Sequence, residues 1–452
     1  MATGTYATTT LTQAIQQVGV RLMDPDLVRW TTAEIAIYIR QALRTWNALT
    51  AFYRDQATFN TTVLEPFYDL PTVAPTQRAQ DYTDSDAISE ICFHLLEAQP
   101  IGGVWQGSRQ FTMAEVTDAL QIVRDAFLLE TGVVLTRSTV AVDPAPSDGR
   151  VSLDEAIANL RRVAWRTDDG IIRILRREDE WGLAKYARST WVTPAADRSL
   201  AYSVGETPPL VLQMAPVTTA TGLLDVIAVQ RGPTIDAAAP QSLGMPNDFA
   251  WVVVFGTLAV LLNRDGLSYD PARAEYCKAR YDQGVALAKV APVVLDARVS
   301  GFPVGLASIA DADAYSADWQ IVPGVPRRVL QAGQTLVGCW PVPGVPTAGG
   351  GFAVVLDLVR NAPVPTSGGD FLQVGPELLD TILNYAQHLA LFKEGVAAIS
   401  QAKGLLDSFL AMSGTEVSLE WALSPNRIAA IEQTAQDTRT VPYETSNAGT
   451  IN

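Results

Sequence analysis

Met245–Val290 reads MPNDFAWVVVFGTLAVLLNRDGLSYDPARAEYCKARYDQGVALAKV, and its spacing predicts two helices joined by a short turn. Pro246, Asn247 and Asp248 are helix-starting and capping types, and Gly266 suits the left-handed position that ends a helix. Between them the first helix is apolar nearly all round. That requires burial on several sides, in the protein's own core or in a subunit contact. The apolar run Phe249–Leu262 is shorter than the roughly 20 residues needed to cross a bilayer. In the second helix Asp270 caps, Pro271 fits the first turn, and Cys277, Tyr281, Val285 and Ala288 form a core stripe, with Arg273, Lys278, Arg280 and Asp282 expected mostly on the solvent side.

The pattern recurs at Val374–Met412, VGPELLDTILNYAQHLALFKEGVAAISQAKGLLDSFLAM, where LFKEG at 391–395 answers LNRDG at 262–266, an offset of 129. Further matches keep the same order. Arg198 and Leu200 answer Arg328 and Leu330, Pro233 answers Pro363 and Pro246 answers Pro376, all at 130, while Pro216-Val217 answers Pro341-Val342 at 125. Several matches in one order indicate a repeated unit.

The N-terminal part is doubled as well. Leu11, Ile15, Val18 and Leu22 share one helical face; the next helix opens with Trp30, Thr31, Glu34 and Ile35, a hydrophobic staple over a capping box, and runs through Tyr38, Ile39, Ala42, Trp46 and Leu49. Phe111, Thr112 and Glu115 repeat the signal 81 residues later, and Val116, Leu120, Val123 and Phe127 continue it. A short helix over Ile88–Leu96 precedes this copy, and extended chain follows each copy, after Ala57 and over Val133–Val142. From Arg150 to Pro233 strands dominate: 162–166 and 171–175 flank Asp168-Asp169-Gly170, a hairpin-turn signal, and 210–214 and 223–229 are further strands.

The fold class expected is therefore α+β, with helical elements and antiparallel β-sheet modules each followed by a helical hairpin, internally duplicated. The divisions are 1–80 and 81–148 (two helix-helix-strand copies), 149–292 and 293–436 (two sheet-plus-hairpin copies), and an extended arm over 437–452. The order front, front, back, back predicts nesting, in which 11–70 pack with 315–412 and 88–145 with 150–291.

Chemistry-bearing motifs are sparse. With 33 basic and 48 acidic residues the net charge is −15, unsuited to gripping nucleic acid. Cys92, Cys277 and Cys339 lie far apart, without disulfide or zinc spacing, which fits a reducing cytoplasm, and the N-terminus lacks the basic and apolar segments of a secretory signal. The two histidines, His94 and His388, lie on helical patterns and read as structural. Gly349-Gly350-Gly351 lacks the Lys-Ser or Lys-Thr of a phosphate loop and reads as a hairpin loop. Glu178-Asp179-Glu180 follows Arg176-Arg177 and reads as a self-compensated turn. The basic run Arg150, Arg161, Arg162, Arg166, Arg173, Arg176, Arg177, Lys185 and Arg188 reads as a mixed-charge surface or ion pairs between subunits. No catalytic, cofactor or metal site is expected.

Taken together, WTTAEI at 30–35, YIRQALRTWN at 38–47, FYDLP at 67–71, the strand RRV at 161–163, FAWV at 249–252, LLNRDG at 261–266 and DPARAEYC at 270–277 resemble head-to-tail connector, or neck adaptor, proteins of tailed bacteriophages. The resemblance implies a structural virion protein without enzymatic activity, assembled in the host cytoplasm. It would form a homo-oligomeric ring, twelve-fold by the family pattern, at the head-tail junction, touching the portal protein and tail or neck proteins, with genomic DNA passing through and no membrane involved. An acidic lumen suits passing DNA, because like charge keeps the duplex off the wall. A fibre- or tail-attachment platform is the neighbouring reading, a tail-associated glycan-processing enzyme using Glu178 a third, and a non-viral scaffold a fourth. The positions expected at subunit or core interfaces are Phe249, Trp251, Val253, Phe255, Leu258, Leu262 and Tyr281 in the first hairpin and Leu379, Leu383 and Leu389 in the second.

Overall fold

Both N-terminal copies begin with helices whose starts are written in side-chain chemistry. The structure, a computed structural model, describes residues 6–414 apart from 98, 102–103, 105–109, 143–148, 168–171, 180–181, 184–198, 206–209, 219–220, 267, 316 and 347–349. The arm at 437–452, the Asp168–Gly170 turn, Lys185, Arg188 and Arg198 thus lie outside the described residues. Helix α1 (Leu11–Arg21) is capped by Thr10 with Gln13 reaching back. In α2 (Thr32–Thr50) the Thr31 hydroxyl accepts the Glu34 N–H, but the Glu34 carboxylate turns to other partners, so only half of the expected box forms. Strands β1 (Arg54–Asn60) and β2 (Phe67–Asp69) follow, then two single turns, α3 (Leu70–Val73) and α4 (Pro75–Arg78). The second copy is α5 (Asp84–His94), α6 (Met113–Thr131), whose Thr112–Glu115 box is complete, and β3 (Leu135–Val142).

The β-rich middle supplies β4 (Arg150–Ser152), β5 (Ile157–Thr167), β6 (Ile172–Ile174), β7 (Arg176–Arg177), β8 (Ala201–Val204), β9 (Val211–Ala215) and β10 (Gly222–Gln230), and leads into the hairpin α7 (Ala250–Leu262) and α8 (Pro271–Ala288). The last part repeats the plan with β11 (Val294–Val299), β12 (Phe302–Ala307), α9 (Ile309–Tyr315), β13 (Pro323–Gly324), β14 (Arg328–Ala332), β15 (Leu336–Trp340), β16 (Val342–Pro343) and β17 (Ala353–Val359) before α10 (Pro376–Phe392) and α11 (Val396–Ser413). The class is α+β.

The strand orders coincide. One seven-stranded sheet runs β1-β17-β11-β12-β14-β15-β2; in the other copy the same order is split at Leu175, between β6 and β7, into two four-stranded sheets, β3-β10-β5-β6 and β7-β8-β9-β4. The seven-stranded sheet pairs β12 antiparallel with β11 and parallel with β14, and β7 pairs parallel with β8, so these two sheets are mixed, while β3-β10-β5-β6 is antiparallel throughout as expected. The register coincides too. Arg54 faces Val359, and shifting these by 81 and 130 positions lands on Leu135 facing Val229, a pair in the other ladder. Both prolines of the 125-residue match follow cis peptide bonds, Ala215–Pro216 and Trp340–Pro341. The match of Leu200 to Leu330 does not hold. Aligning on those prolines, Leu330, opposite Gly338, occupies the place of Ser203, opposite Gln213, because the segment between the fourth and fifth strands differs in length.

The chain thus holds an outer unit, residues 11–73 with 293–413, and an inner unit, residues 84–288, placed within it. In the outer unit α2 packs on α10, β1 pairs with β17 and β2 with β15. In the inner unit α6 packs on α7 and β3 pairs with β10. Each sheet has a core of its own, around Leu356 and Val337 in one and Trp165 and Val226 in the other, while the helices of both units share a single core. Gly350 and Gly351 lie between β16 and β17, which belong to different sheets, so this connection is not the expected hairpin loop; Gly349 lies outside the described residues.

Candidate subunit interface

The seam between the units is built around two of the α8 residues expected in solvent, whereas Lys278 and Asp282, with side chains 61% and 56% exposed, do face it. Arg273 and Arg280 are 6% and 3% exposed. The Arg273 guanidinium lies 4.8 Å from the Phe392 ring centre and donates to the His94 carbonyl; Arg280 lies 4.9 Å from Trp251 and donates to the Tyr385 hydroxyl at 3.0 Å. A guanidinium tolerates this burial because its flat face stacks on aromatic rings while its edge finds acceptors, which a count of charges along a helix cannot foresee. Between them Tyr276 stands against Phe392 at 4.9 Å and meets His388 Nε2 through its hydroxyl at 2.6 Å. So Arg273, Tyr276 and Arg280 of the inner unit sit on Tyr385, His388 and Phe392 of the outer.

Both histidines belong to this seam. His388 Nδ1 lies 2.6 Å from the Ala402 carbonyl, which can only accept, so that nitrogen carries the proton and Nε2 accepts from Tyr276. Burial pushes His388 down to about 3, with Arg280 adding to it and the Ala402 contact opposing. His94 packs among Tyr38, Phe255 and Phe392, with ring centres 5.3, 6.2 and 5.7 Å away, and neither of its ring nitrogens has a hydrogen-bond partner. Burial, then the Arg273, His388 and Lys393 charges, push it to about 3 as well. Both histidines are thus packed in the core of the seam, so substituting either removes filled volume.

The repeated motif LNRDG/LFKEG has a structural partner in the repeated capping signal. Lys393 pairs with Glu34 at 2.5 Å, both buried, and the Tyr38 hydroxyl donates to the same carboxylate at 2.8 Å. Arg264 pairs with Glu115, with 54% and 30% of the side chains exposed. Offsets of 81 and 129 carry the first pair onto the second. Both motifs are legible in the sequence; that one side chain of each closes on the other is not.

The same 129-residue offset carries Tyr385, His388 and Phe392, the outer residues that hold the inner helix, onto Gly256, Ala259 and Asn263. These three line an open groove of about 520 Å³ together with Ile122 and Ala126 of α6, Val260, and Lys278 and Tyr281 of α8. Leu389 is fully buried where its counterpart Val260 is 52% exposed, and Gln41 is 2% exposed where its counterpart Ile122 is 68%. One face is covered in the outer unit and, among the described residues, bare in the inner.

Of the expected interface positions, Phe249, Trp251, Val253, Phe255, Leu258, Leu262, Leu383 and Leu389 are buried within the single chain, Leu379 is half-buried, and Tyr281 lines the groove. All of α7 except Val260 is buried. Its all-round apolarity is accounted for by α2, α5, α6 and α8 of the same chain, so it does not require a subunit contact. The groove residues Ile122, Ala126 and Val260 were missed. Val260 sits in a helix too uniformly apolar for periodicity to single out a face, whereas Ile122 carried a signal in falling off the 116-120-123-127 stripe.

Other groups are used in holding the fold. Glu178 pairs with Arg176 at 2.7 Å and Asp179 accepts the Gly182 N–H. Arg162 of the inner unit is held by both carboxylate oxygens of Asp313 in the outer at 2.7 and 2.9 Å, and Arg137 bridges Asp225 and Glu65 across the same boundary. Cys277 is a buried free thiol. Among the described residues no group of His, Cys, Asp and Glu is arranged to hold a metal ion, and no helix is long and apolar enough to cross a membrane. No known family model matches the chain, and no curated protein matches it.

Proposed function

We propose that this chain is a non-enzymatic structural protein of a tailed-phage virion, a ring-forming subunit at the head-tail junction that joins portal and tail and surrounds the DNA path. The observation that supports the reading best is the way its two units meet. If they met by a two-fold contact, the outer hairpin would seat on Gly256, Ala259 and Asn263 as the inner hairpin seats on Tyr385, His388 and Phe392; those positions line an open groove instead. The contact is therefore heterologous, the kind that continues from subunit to subunit and closes into a ring when the rotation allows. The net charge of −15 accords with a lumen that does not hold DNA.

Mass analysis and electron microscopy of purified virions test this. The chain is expected in the particle at ring stoichiometry, where six chains would supply twelve units and twelve chains twenty-four. A protein absent from particles and monomeric in solution would end the reading.

A further inference from the structure

We infer that the groove between α6, α7 and α8 is the receiving half of the contact between chains, and that its occupant is helix α11 of a second copy. This deepens the ring reading and rests on it. Three features carry the inference. First, the groove is the counterpart, under the 129-residue offset, of the surface on which the inner hairpin helix is seated inside each chain, and the exposures of Val260 and Ile122 mark it as bare. Second, the helix seated there within the chain is the second helix of a hairpin, presenting Arg273, Tyr276 and Arg280. The corresponding helix of the outer unit is α11, and aligning Ala274, Cys277 and Tyr281 with Ala402, Leu405 and Phe409 places Gln401, Gly404 and Ser408 on the matching face. Third, among the described residues nothing covers that face. Gln401, Gly404 and Ser408 are exposed, Met412 on the same face is 56% exposed, and a Cβ at Gly404 would meet nothing within 4 Å. A helix bearing Gly and Ser at its contact can approach closely, and Met412 supplies the apolar side chain for Val260 and Ile122 to cover.

The pairing is directional, so each chain carries one groove and one inserting helix. Native mass spectrometry of the full-length chain with two variants tests it. Val260→Asp disables the groove at an exposed position, and Gly404→Trp disables the helix at an open one; circular dichroism checks that both remain folded. The wild type is expected as a closed oligomer and each variant alone as a monomer. Mixed, they are expected to give a one-to-one heterodimer and nothing larger, because only one intact groove and one intact helix remain. Variants that keep the wild-type oligomer would overturn the groove assignment while leaving the ring reading standing; a strictly monomeric wild type would overturn both. A photo-crosslinker at position 122, with labelled and unlabelled chains mixed, identifies the occupant. Links to 401–412 of another chain support the inference, whereas links to 415–452 of the same chain overturn it.

Discussion

Two valines seven positions apart in α7 have opposite surroundings. Val253 is fully buried and Val260 is 52% exposed. An aspartate at 253 must be desolvated without a partner, a cost of roughly 4 kcal/mol or more, enough to remove most of a domain's stability. Loss of soluble, cooperatively melting protein is expected for Val253→Asp, whereas Val260→Asp should melt within a few degrees of the wild type. Charge at Leu258, also fully buried, belongs with the first case. His388→Ala removes a filled volume and leaves Tyr276 and the Ala402 carbonyl unpartnered, and should cost about 3 kcal/mol in urea unfolding. The same buried groups set the acid response. Both histidines titrate near 3 in the fold against 6.5 unfolded, so between these values the unfolded chain binds more protons and stability falls as pH falls. Glu90, raised by burial to about 7 from 4.5, acts with the opposite sign between those two values, since there the folded chain holds the extra proton. From pH 6.5 down to 4.5 the three together should lose about 1 kcal/mol per pH unit, one net proton, and Glu90→Gln should steepen that slope in urea midpoints measured across the range.

At the level of elements, the paired motifs behave unequally because their surroundings differ. Glu34–Lys393 is buried with a tyrosine hydroxyl on the carboxylate, and Glu115–Arg264 is half in water. Breaking a buried pair strands a charge, so Glu34→Gln should cost about 3 kcal/mol or more, while Glu115→Gln should cost about 1 kcal/mol or less and lose even that at high salt. Equal losses in thermal or urea melts would contradict the packing described. This level is also where the sequence was most legible. Capping residues, the Pro and Gly punctuation and the 3.6-residue stripes located α1, α2, α6, α8 and α10, since those signals act within a few residues. Helix α7 was located by its apolar run alone, because Asn247 and Asp248 bond Tyr82, Asp81, Asn47 and Ala362 instead of capping it, and it ends at Leu262, short of Gly266. The buried faces of Arg273 and Arg280 were not legible, because stacking on Phe392 and Trp251 and donating to the His94 carbonyl and the Tyr385 hydroxyl depend on residues about 30 to 180 positions away. The shifted alignment of β8 with β14 escaped for a related reason: ladder pairing, not residue identity, sets that correspondence.

For the molecule as a whole, offsets of 81 and 130 read from residue matches carry one β-ladder onto the other in register, and the nesting follows from where each front segment pairs. What residue patterns could not supply is the asymmetry, in which one unit's receiving face is filled and the other's is bare. That asymmetry depends on how two like units dock, which leaves little trace along either one. It follows that like units, which meet head to tail within the chain, are expected to go on doing so between chains. Electron microscopy of the purified full-length protein tests this most directly. End-on views are expected to show closed rings with twice as many units as chains, each chain's outer unit against the α6–α7–α8 groove of the next. Isolated monomers, or two-fold dimers in which the same face meets itself, would contradict it.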